Sequence, residues 1–223
     1  VHCNKAIYGC IMSGLLWYEL FTSTLEALGF TVNPYDFCVV NATIEGSQCT
    51  VSWYVDNTKI SHVQLCVVDN IINHMEAHFG KMTVTRGRKH HFLGMHITTY
   101  HGDKTASIHM PTYIQEAIDE SGLIITKDAL SPCSSGLFTV DPTSPALSNK
   151  HAKHFHSIVA KLIYVGMRTH MDILLTLAFL CCRIRQPTEQ DEKKLWRLLE
   201  YLRGTKNLTL QLGADSLNKF MTW

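Results

Sequence analysis

The stretch Trp53-Tyr54-Val55-Asp56-Asn57-Thr58-Lys59-Ile60 sets two apolar strand ends on either side of Asp56-Asn57, two residues that tolerate positive φ. Alone, Asp-Asn in this setting reads as a two-residue hairpin turn. It also puts a carboxylate at a hairpin tip, where the strands fix the backbone and project the side chain away from the core as a candidate metal ligand. Upstream, residues 37–41 and 49–55 alternate as strands around a turn at Glu45-Gly46-Ser47, and 58–61 supply a third strand.

Outward from the hairpin, a helix is expected over 13–28, with Leu16, Leu20, Leu25 and Leu28 near one face and Gly29 as the stop. Leu65, Val68, Ile72, Met75 and Phe79 recur at steps of three and four, a second amphipathic helix ending at Gly80. Strands are expected at 82–85, 92–100 and 106–110, with turns at Arg86-Gly87 and Gly102-Asp103. Thr112 and Gln115 have capping-box spacing for a helix over 113–121 that stops at Gly122. The stretch 126–149, with Pro132, Pro142 and Pro145 among serines, reads as a meandering surface connection. Two buried helices, 155–165 and 173–184, break around Gly166. Thr188 caps a third, with Leu195, Leu198, Leu199 and Leu202 on one face before Gly204, and 208–212 reads as a strand. The fold class expected is α+β.

Composition narrows the function classes. At 223 residues and 46% hydrophobic the chain buries a real core, which excludes disordered and collagen-like classes. The longest nearly continuous apolar stretch, 173–182, is half the roughly 20 residues that span a bilayer, so no membrane partner is expected. A net charge of +1 leaves any nucleic-acid argument to local patches. Eight scattered cysteines with no C-x-x-C pair read as free, mostly buried thiols in a reducing, intracellular compartment. The opening on Val1 and the strand-like close at 220–223 make both ends read as interior to a longer chain. No phosphate-cradling glycine loop and no nucleophile elbow occurs, and His151, His154 and His156 lack the cysteine pair of a zinc site.

Tyr54-Val55-Asp56-Asn57 resembles the tyrosine-x-aspartate-aspartate box of reverse transcriptases, with the last aspartate replaced. Lys5-Ala6-Ile7-Tyr8-Gly9 with Ser13 and Trp17-Tyr18 resembles the lysine-alanine-leucine-tyrosine-glycine motif of copia-type retrotransposon polymerases. Asn33-Pro34-Tyr35-Asp36-Phe37-Cys38-Val39 resembles the segment before their active-site hairpin, and Phe92-Leu93-Gly94-Met95 their primer-grip box. Ser157-Ile158-Val159 through Tyr164, Arg168 to Asp172-Ile173, Pro187-Thr188 and Arg197 to Thr205 resemble the helical connection toward ribonuclease H. These ordered matches at family spacing carry more weight than any one box.

The resemblance implies a partial right-hand polymerase palm over 1–110, an antiparallel sheet with helices on one face. The thumb start and a linker would follow over 111–150, and a helical connection over 151–223. It implies two-metal phosphoryl transfer with Mg²⁺, a template-primer of RNA or DNA with deoxynucleotides as partners, and ribonuclease H and integrase as further polyprotein domains. Asp56 matches the first carboxylate of the box and is the implied metal ligand; Asn57 holds the degenerate second position, where an amide removes anionic charge that a hard cation needs. The family's earlier palm aspartate is expected before Val1. Between Gly9 and Trp17 the family carries a polar lysine-glutamine-serine-proline-arginine run, and this chain has Ile11-Met12-Ser13-Gly14-Leu15. Both departures point to a copy that does not polymerise.

The basic stretch 80–104 holds Lys81, Arg86, Arg88, Lys89 and Lys104 against Asp103, and with Phe92, Leu93 and Gly94 it suits sequence-independent phosphate contact; an ordinary solvated hairpin fits the charge equally. From 183 to 206 the signs mix along a helix, which reads as a solvated face. Two functional classes stay open: a polymerase by descent, and a non-catalytic nucleic-acid-binding or assembly remnant in which Asp56 is only a turn residue. An unrelated α/β domain would lack a helix stacked beneath the hairpin.

Overall fold

The computed structural model describes residue 7 and residues 9–213, so Lys5, Ala6 and Tyr8 of the first motif and the strand expected at 220–223 lie outside the described residues. The chain divides between Thr85 and Arg86 into two units.

In the first unit, α1 (Ile11–Glu26) precedes an antiparallel sheet of β1 (Thr31–Val32), β2 (Val39–Ile44), β3 (Ser47–Tyr54) and β4 (Asn57–Ser61), paired in chain order, and α2 (Leu65–Phe79) follows. Alternation along β3 buries Cys49, Val51 and Trp53 on one face, against Phe21 and Leu25 of α1 and Val67, Ile71 and Met75 of α2. The other face is polar: Thr50 Oγ1 donates to Asn41 Oδ1 (2.7 Å), and Gln48 Nε2 donates to both side chains. The inward face of α1 differs from the leucine stripe expected. Trp17 stacks on Phe21 at 4.7 Å between ring centroids and Phe21 lies 4.9 Å from Trp53, while Leu16 and Leu20 stay exposed. Aromatic rings bury more area per residue than leucine, and Trp17, Phe21 and Leu25 recur every four positions, so this stripe wins the core side.

In the second unit, β5 (Lys89–Phe92), β6 (Met95–Tyr100) and β7 (Thr105–His109) form an antiparallel meander, and β8 (Leu210–Gly213) returns from the far end of the chain to pair with β7. Between them lie α3 (Pro111–Ser121), α4 (Asn149–Arg168), a 3₁₀ turn at Met171–Ile173, α5 (Leu174–Arg183) and α6 (Glu189–Thr205). Ile114, Phe155, Leu162, Leu177, Leu180, Leu198 and Leu202 make one core shared by the helices.

Several local expectations are corrected here. No strand forms at 82–85, and the strand expected over 92–100 is cut by a two-residue turn at Leu93-Gly94, both at positive φ (52° and 74°), as a type I′ turn requires. Pro111 starts α3 one position before Thr112, since its fixed φ suits the first helical residue and its missing N–H costs nothing there. Gly166 lies inside α4, where it admits Leu174 and Leu177, and the helix breaks instead at Thr169. Gly204 likewise remains inside α6, against Asp128. The seven described cysteines are free as expected, but only Cys49 is fully buried.

Candidate functional site

The hairpin of β3 and β4 pairs Tyr54 with Asn57, Trp53 with Thr58 and Val51 with Ile60, so the two-residue loop is Val55-Asp56 rather than Asp56-Asn57. This register sets Ile60 opposite fully buried Val51. It also forces Val55 to φ +54°, a region that β-branched residues avoid. Positive φ at the first loop position alone is the type II′ pattern, which normally takes glycine there. Strain of about 1–3 kcal/mol is therefore held at the tip. Asp56 sits exposed in the turn, and Asn57 is the first ladder residue of β4.

The base of the hairpin is fixed from below. Trp53 is buried against Phe21 and lies 6.2 Å from Tyr18, ring to ring, which places α1 beneath the strand that carries the turn. The preceding segment is shaped by its own side chains: Asn33 Oδ1 accepts from Tyr35 N and Asp36 Oδ1 from Cys38 N, both at 2.9 Å, while Trp53 N donates to Cys38 O at 3.0 Å. Tyr18 donates its hydroxyl to Phe37 O at 3.3 Å. Lys59, opposite Ser52 on the polar face, donates to Ser61 Oγ at 2.7 Å, and burial pushes its ammonium below the usual lysine range. Lys59 was not among the sequence candidates; the period-2 alternation from Ile60 places it on this face.

A Mg²⁺ site needs more than this tip supplies. Asp56 and Asn57 together offer a single carboxylate, and among the described residues no three His, Cys, Asp or Glu side chains converge so as to hold a metal ion. These residues do not fit a two-metal centre. Met12 and Leu15, which stand where polar residues were expected, are exposed at 59% and 48%; they do not belong to the buried face of the first unit.

Lys81 belongs to the first unit, just beyond α2, and Arg86, Arg88, Lys89, Phe92, Leu93 and Gly94 to the second. In the second unit Arg88 and Lys89 are exposed, and the Arg88 carbonyl accepts Thr99 N at 2.9 Å, continuing the β5–β6 pairing. Phe92 is half-buried opposite Met95. The Leu93 carbonyl accepts the Tyr164 hydroxyl at 2.8 Å, which ties the hairpin turn to α4. Leu93 and Gly94 thus have a clear part in shaping the turn and anchoring it. His96 faces His91 at 3.8 Å and His109 at 5.1 Å between ring centroids on the neighbouring strands. Burial first, then the like charges of His91 and His109, pushes its imidazole below the usual range. Only strand register could have brought these three together.

The chain is 24% identical over 211 residues to the "Putative transposon Ty5-1 protein" of Saccharomyces cerevisiae, a match spanning 94% of this chain and 67% of the yeast protein. It is 24% identical over 214 residues to the retrovirus-related Pol polyprotein from transposon RE1 of Arabidopsis thaliana, covering 92% of this chain and 13% of that polyprotein. An uncharacterized mitochondrial protein of Arabidopsis thaliana is 26% identical over 156 residues, 68% of this chain and 60% of its own length. No protein-family model and no solved structure matches. The chain is thus similar to retrotransposon polyprotein sequence along more than nine-tenths of its length. Among the described residues no helix is long and apolar enough to cross a membrane.

Proposed function

We propose that this chain is a stretch of a copia-type retrotransposon polyprotein descended from the palm and thumb of its reverse transcriptase, and that it no longer polymerises. The observation that supports this reading most is the strained Val55-Asp56 turn. A β-branched residue at φ +54° persists only where its surroundings over-determine it, and here it presents an exposed carboxylate above a strand packed on α1. Loss of chemistry follows from Asn57, whose amide leaves one carboxylate where two anionic ligands would share the cations. Nucleic-acid contact outlasts catalysis in this reading, through Arg86 and Arg88 just before β5 and Lys89 at its start, acting on phosphates without reading sequence.

The test is primer extension by the chain on an RNA template with Mg²⁺ or Mn²⁺ and deoxynucleotides. No templated incorporation is expected from the natural sequence. Incorporation that disappears in Asp56→Ala would overturn the loss of activity. Binding of a labelled primer-template is measured alongside it: it should weaken steeply with salt and weaken further in the Arg88→Gln, Lys89→Gln double variant. Absence of any such binding would remove the nucleic-acid half of the proposal.

A further inference from the structure

The connection between α3 and α4 is held down by one face of α6. Lys194 Nζ donates to Thr139 O at 2.7 Å, Arg197 donates from its terminal nitrogen to Ser131 Oγ at 3.0 Å, and Gln190 Oε1 accepts from Asp141 N at 2.9 Å. Leu137, buried, anchors the middle of this strap. Between the strap and the helix lies a cavity of about 390 Å³ lined by Ser134, Gly136, Thr139, Lys193, Lys194 and Arg197.

Its electrostatics are one-sided. Lys193, Lys194 and Arg197 lie on one helix face at steps of three and four, and among the described residues none forms an ion pair with a carboxylate. Asp191 is engaged with Arg183 and Thr188 and Asp141 with Thr143, while Glu189 and Glu192, next to Lys193 along α6, are not part of the cavity lining. Arg197 Nε is buried and has no acceptor, although its guanidinium carries a permanent charge. A donor in that state is costly unless an acceptor reaches it. The strap adds two hydroxyls. A Cβ built on Gly136 would lie 3.8 Å from Ser134 Oγ and 3.9 Å from Thr139 Oγ1, so the missing side chain leaves open a space that both oxygens border.

We propose that this cavity binds a phosphate group, with the Arg197 guanidinium and Lys193 as charged donors, Ser134 and Thr139 as hydroxyl donors, and Lys194 adding charge while it holds the strap. Tetrahedral oxyanions match the donor set: several N–H and O–H groups, net positive charge and no acceptor carboxylate in the lining. The site is independent of the Asp56 hairpin and of any polymerase descent. The phosphate could come from a nucleic-acid backbone or from a small phosphorylated molecule; the chemistry recognised is the same.

The experiment uses the whole chain, ¹⁵N-labelled, titrated with inorganic phosphate against chloride at constant ionic strength. Amide signals of 134–139 and 190–197 should shift and saturate. Lys193→Gln and Gly136→Val, the first removing an exposed charge and the second filling the space between the hydroxyls, should each weaken binding about tenfold. Lys150→Gln, on α4, should not. Circular dichroism melting of both site variants separates lost binding from lost folding, and Lys193, being exposed, leaves the fold intact. Single-stranded oligonucleotides with and without a 5′ phosphate identify the source. Shifts of the same amides by both indicate backbone phosphodiester, and shifts by the phosphorylated strand alone indicate a phosphomonoester. The proposal is overturned if neither phosphate nor either oligonucleotide moves these amides, or if both site variants bind as the natural sequence does.

Discussion

Replacing Asp191 with alanine should unlatch the second unit at the point where α5, α6 and the strap meet. Asp191 is fully buried at the third position of α6. One carboxylate oxygen accepts from Thr188 N and Thr188 Oγ1, each at 2.9 Å, and Arg183 Nε lies 3.2 Å from both oxygens. Thr188 in turn caps Asp191 N, completing a reciprocal capping box, and its backbone bridges to Ala146 of the strap. Deleting one partner of a buried ion pair costs about 3–5 kcal/mol, because the other charge is left without compensation. Arg183 is 26% exposed, so water reaches part of its guanidinium and the low end of that range applies. With the lost cap contributing about 1 kcal/mol, the expected loss is about 3–4 kcal/mol. At about 2–4 °C per kcal/mol, melting of the second unit falls by about 10 °C. Asp191→Asn keeps an oxygen for Thr188 N and loses the charge, so it should cost roughly half as much. Chemical denaturation followed by the fluorescence of Trp196, on α6 itself, reads the change. An Asp191→Ala loss below about 1 kcal/mol would refute the reasoning, since that is the scale of an exposed pair.

Two further outcomes follow from the packing. His170 is buried, its Nδ1 is 3.3 Å from Asp172 Oδ1 without hydrogen-bond alignment, and burial pushes its imidazole below the usual 6.5 despite that carboxylate. The unfolded state then binds the proton more readily, so stability is full above pH 6.5 and falls as pH drops from there toward the folded value. His96 shifts in the same direction, so the readout is the difference in pH slope between the natural sequence and His170→Gln, and equal slopes would contradict a buried neutral imidazole. Phe21→Ala should destabilise the first unit by about 3–5 kcal/mol, as it empties the contact between Trp17 and Trp53; equilibrium unfolding showing less than about 1 kcal/mol would mean that the leucine face of α1 carries the core after all.

Local signals were legible where one residue decides the geometry. Gly29, Gly80 and Gly122, at positive φ, end or follow α1, α2 and α3 where the sequence predicts stops, and Thr188 caps α6. The connection over 126–149 is indeed largely without regular structure between α3 and α4. Periodicity failed where two faces of a helix were both apolar: α1 offers a leucine stripe and an aromatic stripe, and only the presence of Trp53 opposite selects the second. It failed again at Leu93-Gly94, because a continuous apolar-rich run reads as one strand until pairing divides it.

By itself the sequence determined the α+β class, the helix stops and a hairpin that raises Asp56 to its tip, since each depends on the chemistry of residues adjacent in the chain. Tertiary structure alone decided which residue takes the strain at that tip. The turn moved onto Val55 because Ile60 pairs with Val51 over a core supplied by two helices. It also decided what lies together in the second unit, where Gln211 reaches Ser107 across 104 positions and the strap from α3 to α4 meets Lys193, Lys194 and Arg197. Along α6 those cations alternate with acids and look solvated. In the fold they line a cavity that Ser134 and Thr139 of the strap also border, an arrangement in three dimensions that no spacing in one dimension encodes.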